Sequence, residues 1–412
     1  MVKVRQECPS TEALLKRFPP RGAFEIDELE TKSGPLPRII GEFWAPGQRN
    51  GHSLHEISYR ACYKPELPAL FIEALTQPGD AVYDPFGGRG TTALEAALRG
   101  RRPISNDVNP LSEMLLRPRL TPPAFDEIAH RLTKIPRHSR KIVDLDLSMF
   151  FHIQTESEIR ALRVWFKSRR DSGAFDAVDA WIRMVALNRL TGHSAGFFSI
   201  YSLPPNQAMP AKKQLAINQL RDQVPPYRDT HALIRKKTKA LLRDFTSPEA
   251  VSALHVAGKL ASLHCGSAEH TPDIPSESVD LVVTSPPFLD VVQYHTDNWM
   301  RNWFAAIDES SVEATFIYER TVEGWCRRIE ETFKEIHRVM KPGAWFVMEV
   351  GEIKKATLNM EDLLLPIGEA HGFHLQGALI HTQAFTKTAH IWGVGNNEKG
   401  TNSQRMVLFQ KR

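Results

Sequence analysis

The chain has 412 residues, with 52 Lys and Arg against 48 Asp and Glu. That length buries a core without staples. A composition of 42% hydrophobic and 24% charged residues excludes wholesale disorder, a collagen-like fibre and a coiled coil. The four cysteines, Cys8, Cys62, Cys265 and Cys326, lie far apart, so neither a disulfide scaffold nor a ribbon-type zinc site is expected, and a reducing, cytoplasmic location suits them. No metal site is expected either, because His52, His55, His193, His295 and His371 are scattered without ligand spacing. The opening residues hold no long apolar stretch, and no run approaches the length of a membrane span, so neither a signal peptide nor a membrane segment is expected. A net charge of +4 permits a polyanionic partner without demanding one.

Residues 1–50 read as a polar, Pro/Gly-rich lead-in, either a mobile arm or a strap across the core. An α/β unit is expected over 51–110. PELPALFIEAL spaces Leu67, Leu70, Phe71, Ala74 and Leu75 on one helical face, AVYD is a short buried strand ending in Asp84, TTALEAALRG is a helix stopped by Gly100, and RPISND is a second strand ending near Asp107. Strand, glycine-rich turn, helix and strand open a doubly wound fold. Residues 111–255 break the alternation and read as a mostly helical insertion or second domain, with DAWIRMVALNRLTG a helix stopped by Gly192. From 256 to 412 the alternation resumes: SVDLVVTS is a strand, WCRRIEETFKEIHRVMKPG an amphipathic helix closed by Lys-Pro-Gly, AWFVMEVG a hydrophobic strand, EDLLLPIGEAHGF a helix, and HLQGALIHTQAF and SQRMVLFQ two final strands.

The sharpest local signal is Asp84-Pro85-Phe86-Gly87-Gly88-Arg89-Gly90-Thr91-Thr92. Glycines at a strand-to-helix turn let the backbone approach a ligand, and the helix start presents unpaired N–H groups. With no Lys before the Thr this is not a P-loop, and the dinucleotide spacing is also missing, so a cofactor without a pyrophosphate suits it better. Asp84 stands where a carboxylate holds a cationic or hydroxylated group, and Asp107 ends the next strand, where ribose hydroxyls are gripped. A tight turn with packing glycines would read the same by itself.

A second signal, Thr284-Ser285-Pro286-Pro287-Phe288, follows Val282 and Val283 directly. Two prolines remove two N–H donors and stiffen the chain, leaving a rigid loop of acceptors with an aromatic ring at its end. Such a loop suits a planar base. An exocyclic amine donates to Ser285 and the Pro286 carbonyl while Phe288 stacks on the ring.

Together the two motifs resemble the DNA amino-methyltransferases that use S-adenosylmethionine. In that family an Asp-Pro-Phe-x-Gly-x-Gly-Thr-Thr loop binds the methionine part of the cofactor, and a Ser/Asn/Asp-Pro-Pro-aromatic loop holds the flipped base. The resemblance covers roughly 50–110 and 265–412, and KPGAWFVMEVG and TNSQRMVLFQKR match the strands expected there. It implies a Rossmann-like methyltransferase fold with a doubly wound mixed sheet. Asp84, Pro85, Phe86, Gly87, Gly88, Gly90, Thr91, Thr92 and Asp107 are then cofactor-binding, with Ser267 at the end of the third strand. Ser285, Pro286, Pro287 and Phe288 are catalytic. The Ser form looks most like the cytosine 4-amino enzymes; adenine 6-amino methylation is the alternative, and methylation of RNA or of a protein amide a more distant one. The implied partner is double-stranded DNA, and a companion restriction endonuclease acting separately fits enzymes of this kind.

An amine attacks a sulfonium methyl directly, so no cysteine nucleophile is needed. The run holding Arg235, Lys236, Lys237, Lys239 and Arg243 reads either as a phosphate-binding face or as a solvated helix face. The stretch GHSAGFFSIYSLPPNQAMP, with its exposed-looking aromatics, reads either as a base-reading loop or as a lid. Trp299 and Trp303, four residues apart, are expected in the core.

Overall fold

The computed structural model describes residues 10–412 apart from 33, 46–50, 61, 140–143, 203–207, 288–296, 309–320, 354–357 and 383–402. Its centre is a nine-stranded sheet. Strand β3 (Ala81–Asp84) leads through helix α3 (Thr91–Leu98) into β4 (Arg102–Asp107). The chain then leaves the sheet for the helical middle region and returns as β5 (Ser262–Cys265), β6 (Val279–Thr284) and β7 (Met340–Val350). Two further strands, β10 (Phe373–Thr382) and β11 (Ser403–Lys411), close the sheet beyond the small hairpin β8 (Glu352–Ile353) and β9 (Leu358–Asn359). The order across the sheet is β1-β2-β10-β11-β7-β6-β3-β4-β5, where β1 is Phe24–Leu29 and β2 is Leu36–Gly41. β7, β6, β3, β4 and β5 are mutually parallel, and β11 runs antiparallel between β7 and β10. Chain order therefore reverses between β3 and β6. A crevice opens there at the carboxyl ends of the strands, the usual ligand position in doubly wound sheets.

Period-2 alternation buries both faces. In β6, Leu281 and Val283 pack with Leu67, Phe71 and Ile72 of α2 (Glu66–Leu75). Val282, between them, faces the other way with Phe333 and Ile336 of α12 (Val322–Val339) and Leu364 of α13 (Met360–Ala370). Strands covered on both faces read as near-continuous apolar runs, as VDLVVT and AWFVMEV do. The α12 helix ends at Val339, and the Lys341-Pro342-Gly343 segment expected to close it already belongs to β7, with Gly343 at φ +78°.

Part of the lead-in enters the sheet. Within it, β1 (Phe24–Leu29) and β2 (Leu36–Gly41) form an antiparallel pair, and β2 joins β10 in parallel. The polar sequence FEIDEL carries no buried-strand signal because β1 is the sheet's edge, exposed along five of its six residues.

The middle region is helical: α4 (Leu111–Leu120), α5 (Phe125–Lys134), α6 (Ile153–Asp171), α7 (Ala177–Leu187), α8 (Ala211–Leu220), α9 (Thr230–Leu241) and α10 (Pro248–Lys259). Its core is continuous with the sheet domain. Ala93 and Leu94 of α3, Trp181 and Ile182 of α7, and Met300 and Phe304 of α11 (Trp299–Ala305) share one cluster. Trp181 also ties α7 to α9 through Nε1 donating to Thr238 Oγ1 at 3.1 Å. The expected stop at Gly192 is overturned. The α7 helix ends at Leu187, where Asn188 caps it, and Gly192 lies beyond in a loop, so close to Phe197 that a Cβ would sit 2.3 Å from its ring. Among the described residues, no helix is long and apolar enough to cross a membrane.

Candidate functional site

The glycine loop leaves β3 at Asp84 and enters α3 at Thr91. Gly88 and Gly90 have φ of +52° and +77°, left-handed values that favour glycine, and a Cβ on Gly87 would come within 2.2 Å of Ser105 Oγ. The loop folds back on β4: Gly87 N–H donates to the Asn106 carbonyl at 2.9 Å and Gly88 N–H to Asp107 Oδ2 at 2.7 Å. Asp107 Oδ1 accepts from Asn109 N–H at 2.8 Å. Each oxygen keeps a further lone pair, and the half-buried carboxylate faces the crevice end of the sheet. Burial pushes Asp107 up to about 6, against the pull of the two N–H donors. Asn106 bridges to the third strand by donating to the Gly266 carbonyl at 2.9 Å, which brings Ser267 to the same end; the Ser267 hydroxyl caps the Glu269 N–H at 3.3 Å.

The side chains of Asp84, Thr91 and Thr92 are each engaged within the protein. Asp84 is fully buried. It accepts from Thr284 Oγ1 at 2.6 Å, from the Tyr63 hydroxyl at 2.8 Å and from Phe86 N–H at 3.1 Å. Burial raises its pKa. Thr92 Oγ1 pairs with the same Tyr63 hydroxyl at 2.5 Å and donates to the Val283 carbonyl at 3.1 Å. Thr91 Oγ1 takes a hydrogen bond from Arg89 Nε at 3.1 Å. Asp84 and Thr92 fasten the glycine loop to β6. Pro85, Gly87 and Gly90 are buried, and Phe86 and Gly88 are partly exposed.

Over the loop lie residues 53–60 and 62–63, tied down by guanidinium groups. Arg89 donates to the carbonyls of His55, Ile57 and Tyr63, and Arg119 to that of Leu54. Arg301 reaches the Ser58 carbonyl, and Tyr59 stands 3.7 Å from where a Cβ on Gly88 would lie.

At the other side of the crevice, Ser285 and Pro286 emerge from β6. The Pro287 carbonyl is held by Trp325 Nε1 at 3.1 Å. Phe288, Gln293, Tyr294 and His295 lie outside the described residues. Beyond them, Asp297 is paired with Arg60, and its carbonyl accepts from Ala208 N–H at 3.1 Å. The neighbour of Ser285 is Glu349. Thr284 lies opposite Met348 in the β6/β7 register, so the next residues, Ser285 and Glu349, meet at the strand ends. The Glu349 carboxylate is buried beside Ser285, and burial pushes it up to about 6, against the pull of the Ser285 and Gln404 side chains.

Sequence reasoning passed over Tyr63, Arg89, Ser105, Glu349 and Gln404. Only Glu349 gave a signal, as a lone acid at the end of the apolar strand AWFVMEV. Trp299 and Trp303 pack half-buried against the large core, with Trp303 flanked by the Arg160 and Arg163 guanidiniums at 5.3 and 4.8 Å. Phe197 and Phe198 are buried and Tyr201 is half-buried: Phe198 belongs to the large core, and Phe197 packs under Arg189, 4.1 Å from its ring. The basic run is split. Lys237 is half-buried, lowered to about 8 by burial, and pairs with Glu56, as Arg243 does; Lys239 stands 5.1 Å from the Phe125 ring. Arg235 and Lys236 are exposed.

The parallel strands, the reversed closing strand and the loop at the switch point define a doubly wound, Rossmann-like fold. Residues 23–112, from β1 through the glycine loop and Asp107 to the start of α4, match the family model described as DNA methylase, of the N6/N4 amino-methylating group. The type II methyltransferase M.MvaI of Kocuria varians is 26% identical over 145 residues, 34% of this chain and 32% of that protein; the chain thus matches about a third of the relative's length. Among solved structures, an rRNA methyltransferase from Streptomyces viridochromogenes aligns at TM-score 0.33 and 10% identity over 87% of this chain and 90% of its own. A putative DNA modification methylase from Thermus thermophilus aligns at 0.21 and 20% identity over 33% and 48%. These scores are too low to bear on function.

Proposed function

We propose that the protein is a site-specific DNA methyltransferase that uses S-adenosylmethionine to methylate the exocyclic 4-amino group of a flipped cytosine. The observation that carries the reading is the pairing of two loops across the switch point. The glycine loop and the Ser285-Pro286-Pro287 loop leave adjacent strands and are fastened together by Asp84 and Thr284.

The residues fit the cofactor. Gly87 and Gly88 leave room for close backbone approach, the buried Ser105 Oγ beside Gly87 has no hydrogen-bond partner among the described residues, and Asp107 keeps lone pairs for two ribose hydroxyls. Ser267 stands at the adenine side. When bound, S-adenosylmethionine supplies an electrophilic methyl group on a cationic sulfur.

The chain's own task is to hold and prepare the base. A base inside a stacked duplex is out of reach, so it must be flipped, at a cost of a few kcal/mol. Phe288 is proposed to repay part of that cost by stacking. Ser285 Oγ and the Pro286 carbonyl accept from the amine, whose lone pair is otherwise delocalised into the ring. These acceptors gain strength as the nitrogen turns tetrahedral and positive, so they favour the transition state over the ground state. The Ser form of the loop supports cytosine over adenine. Arg235, Lys236 and Lys239, with a lesser share from the ion-paired Lys237, are proposed to meet the phosphates of double-stranded DNA, and residues 111–255 to carry target recognition. A cytoplasmic enzyme, with or without a separate companion nuclease, fits this reading.

The test is methylation of plasmid DNA followed by nucleoside mass analysis. The expected product is 4-methylcytosine. Recovery of 6-methyladenine would move the protein to the adenine class of the same family, and a covalent adduct on 5-fluorocytosine DNA would overturn direct attack.

A further inference from the structure

Two consecutive prolines deprive the Ser285-Pro286-Pro287 stretch of the backbone N–H donors of Pro286 and Pro287, so the fold grips it there through carbonyls and packing. One carbonyl grip comes from the helix α12. The Trp325 indole donates through Nε1 to the Pro287 carbonyl at 3.1 Å. The donor is deep and the acceptor is at the surface: Trp325 is 5% exposed, whereas Pro287 is exposed. A buried indole needs a partner for its N–H, and a packed ring offers that N–H in one direction only.

The ring is fixed from below. Trp325, Ile329, Phe333 and Ile336 lie on the buried face of α12 at helical spacing, and they share a cluster with Val282 of β6 and Met348 of β7. Thr321 Oγ1 caps the turn that carries Trp325 by accepting from Gly324 N–H at 3.0 Å. Further along, Arg328 pairs with Glu269 at 2.5 Å, and Glu335 accepts from the Thr271 N–H and hydroxyl at 2.7 and 2.6 Å. Both ties reach the connection between β5 and β6, which also carries Ser267. The helix is therefore anchored on the sheet and on the cofactor side of the crevice, and Trp325 extends that anchorage to the proline loop.

Resting on the reading above, we propose that Trp325 is a positioning residue of methyl transfer, acting through the Pro287 carbonyl. Ser285 is held at one end by following directly on β6, and Pro287 is held at the other by the indole. Between two fixed ends, a stretch as stiff as Pro-Pro leaves the Pro286 carbonyl one direction in which to point. The indole N–H thus sets the aim of the acceptors that meet the amine without touching the base. Removing that N–H should spoil alignment in the methyl-transfer step and leave the cofactor loop, held separately by Asp84 and Thr92, as it is.

The experiment measures single-turnover methyl transfer to unmethylated plasmid DNA, at saturating DNA and cofactor, for wild type, W325F and a protein carrying benzothienylalanine at position 325. In that analogue sulfur replaces the indole N–H and the ring keeps its shape, which guards against a packing defect in W325F. Both altered proteins should run on the order of ten- to a hundredfold slower. Their affinity for S-adenosylmethionine by calorimetry, and the DNA concentration giving half-maximal rate, should stay within about twofold of wild type. Independently of turnover, the Raman difference spectrum between wild type and W325F should show the signature of a hydrogen-bonded indole N–H. A wild-type rate in the benzothienylalanine protein, a fall in cofactor affinity as large as the fall in rate, or an indole signal without hydrogen bonding overturns the role of Trp325. A wild type that methylates no DNA overturns the reading beneath it.

Discussion

The Thr284 hydroxyl donates to Asp84 Oδ1 across 2.6 Å, joining the last residue of β6 to the last residue of β3 although the two lie 200 positions apart in the chain. This one bond couples the loop that would hold the cofactor to the loop that would hold the base. Its energetic weight is large because Asp84 is fully buried and each of its hydrogen bonds offsets the cost of enclosing a carboxylate. Thr284→Val, which keeps the shape and removes the donor, should destabilise the protein by about 1–3 kcal/mol, read as a lower urea midpoint. Thr284→Ser should recover most of that loss. Equal midpoints for wild type and Thr284→Val would remove the clamp from the account.

Asp107 gives a prediction about cofactor affinity. Asp107→Ala should weaken S-adenosylmethionine binding by about 1.5–3 kcal/mol in calorimetry, the worth of hydrogen bonds to a charged acceptor. Unchanged affinity would sink the assignment.

The pH dependence has a definite sign. Asp107 and Glu349 both sit near 6, above the ordinary carboxyl range, because they are buried. The folded chain therefore holds protons that the unfolded chain has released. Their contribution to stability is fully present below about 4 and is lost as pH rises through 6, on the order of 2 kcal/mol for each. Asp107→Asn and Glu349→Gln should each flatten the fall in unfolding free energy between about pH 4.5 and 7. Cofactor affinity should move oppositely, rising from about pH 5 to 7 as Asp107 ionises. A stability curve with the wild-type slope in both variants would contradict the burial argument.

The sheet was largely legible in the sequence, and the site only half so. VDLVVT and AWFVMEV read as strands because both faces are buried and the runs are almost wholly apolar. FEIDEL did not, because an edge strand with an exposed face carries no such run. Gly87, Gly88 and Asp107 could be placed because backbone approach and a strand-end acid follow from local order alone. Asp84 reads as ligand-facing in the sequence, and in the fold it is fully buried among Tyr63 and Thr284. Its partners, Tyr63 and Thr284, come from distant segments, and spacing gives no information about which way a carboxylate turns. Glu349 and Gln404 were hidden for the same reason: they join Ser285 only when β6, β7 and β11 lie side by side.

The basic helix face divides into two groups with separable effects. Arg235 and Lys236 are exposed, whereas Lys237 and Arg243 are engaged by Glu56. Replacing Arg235 and Lys236 with Gln should weaken DNA binding and lower the slope of log K against log salt by about 0.9 for each phosphate no longer neutralised. Lys237→Gln should change the slope less and the melting temperature more. A wild-type salt slope in the Arg235/Lys236 double variant would make this a solvated helix face.

The most direct measurement is the fate of the methyl group itself. Duplex DNA incubated with the purified protein and tritiated S-adenosylmethionine should yield acid-stable 4-methylcytosine as the labelled nucleoside. Ser285→Ala should lower the single-turnover rate by about 10²–10³-fold while cofactor affinity stays nearly intact. Label recovered in 6-methyladenine, label absent from DNA, or a Ser285→Ala protein that transfers methyl groups at the wild-type rate would contradict the account.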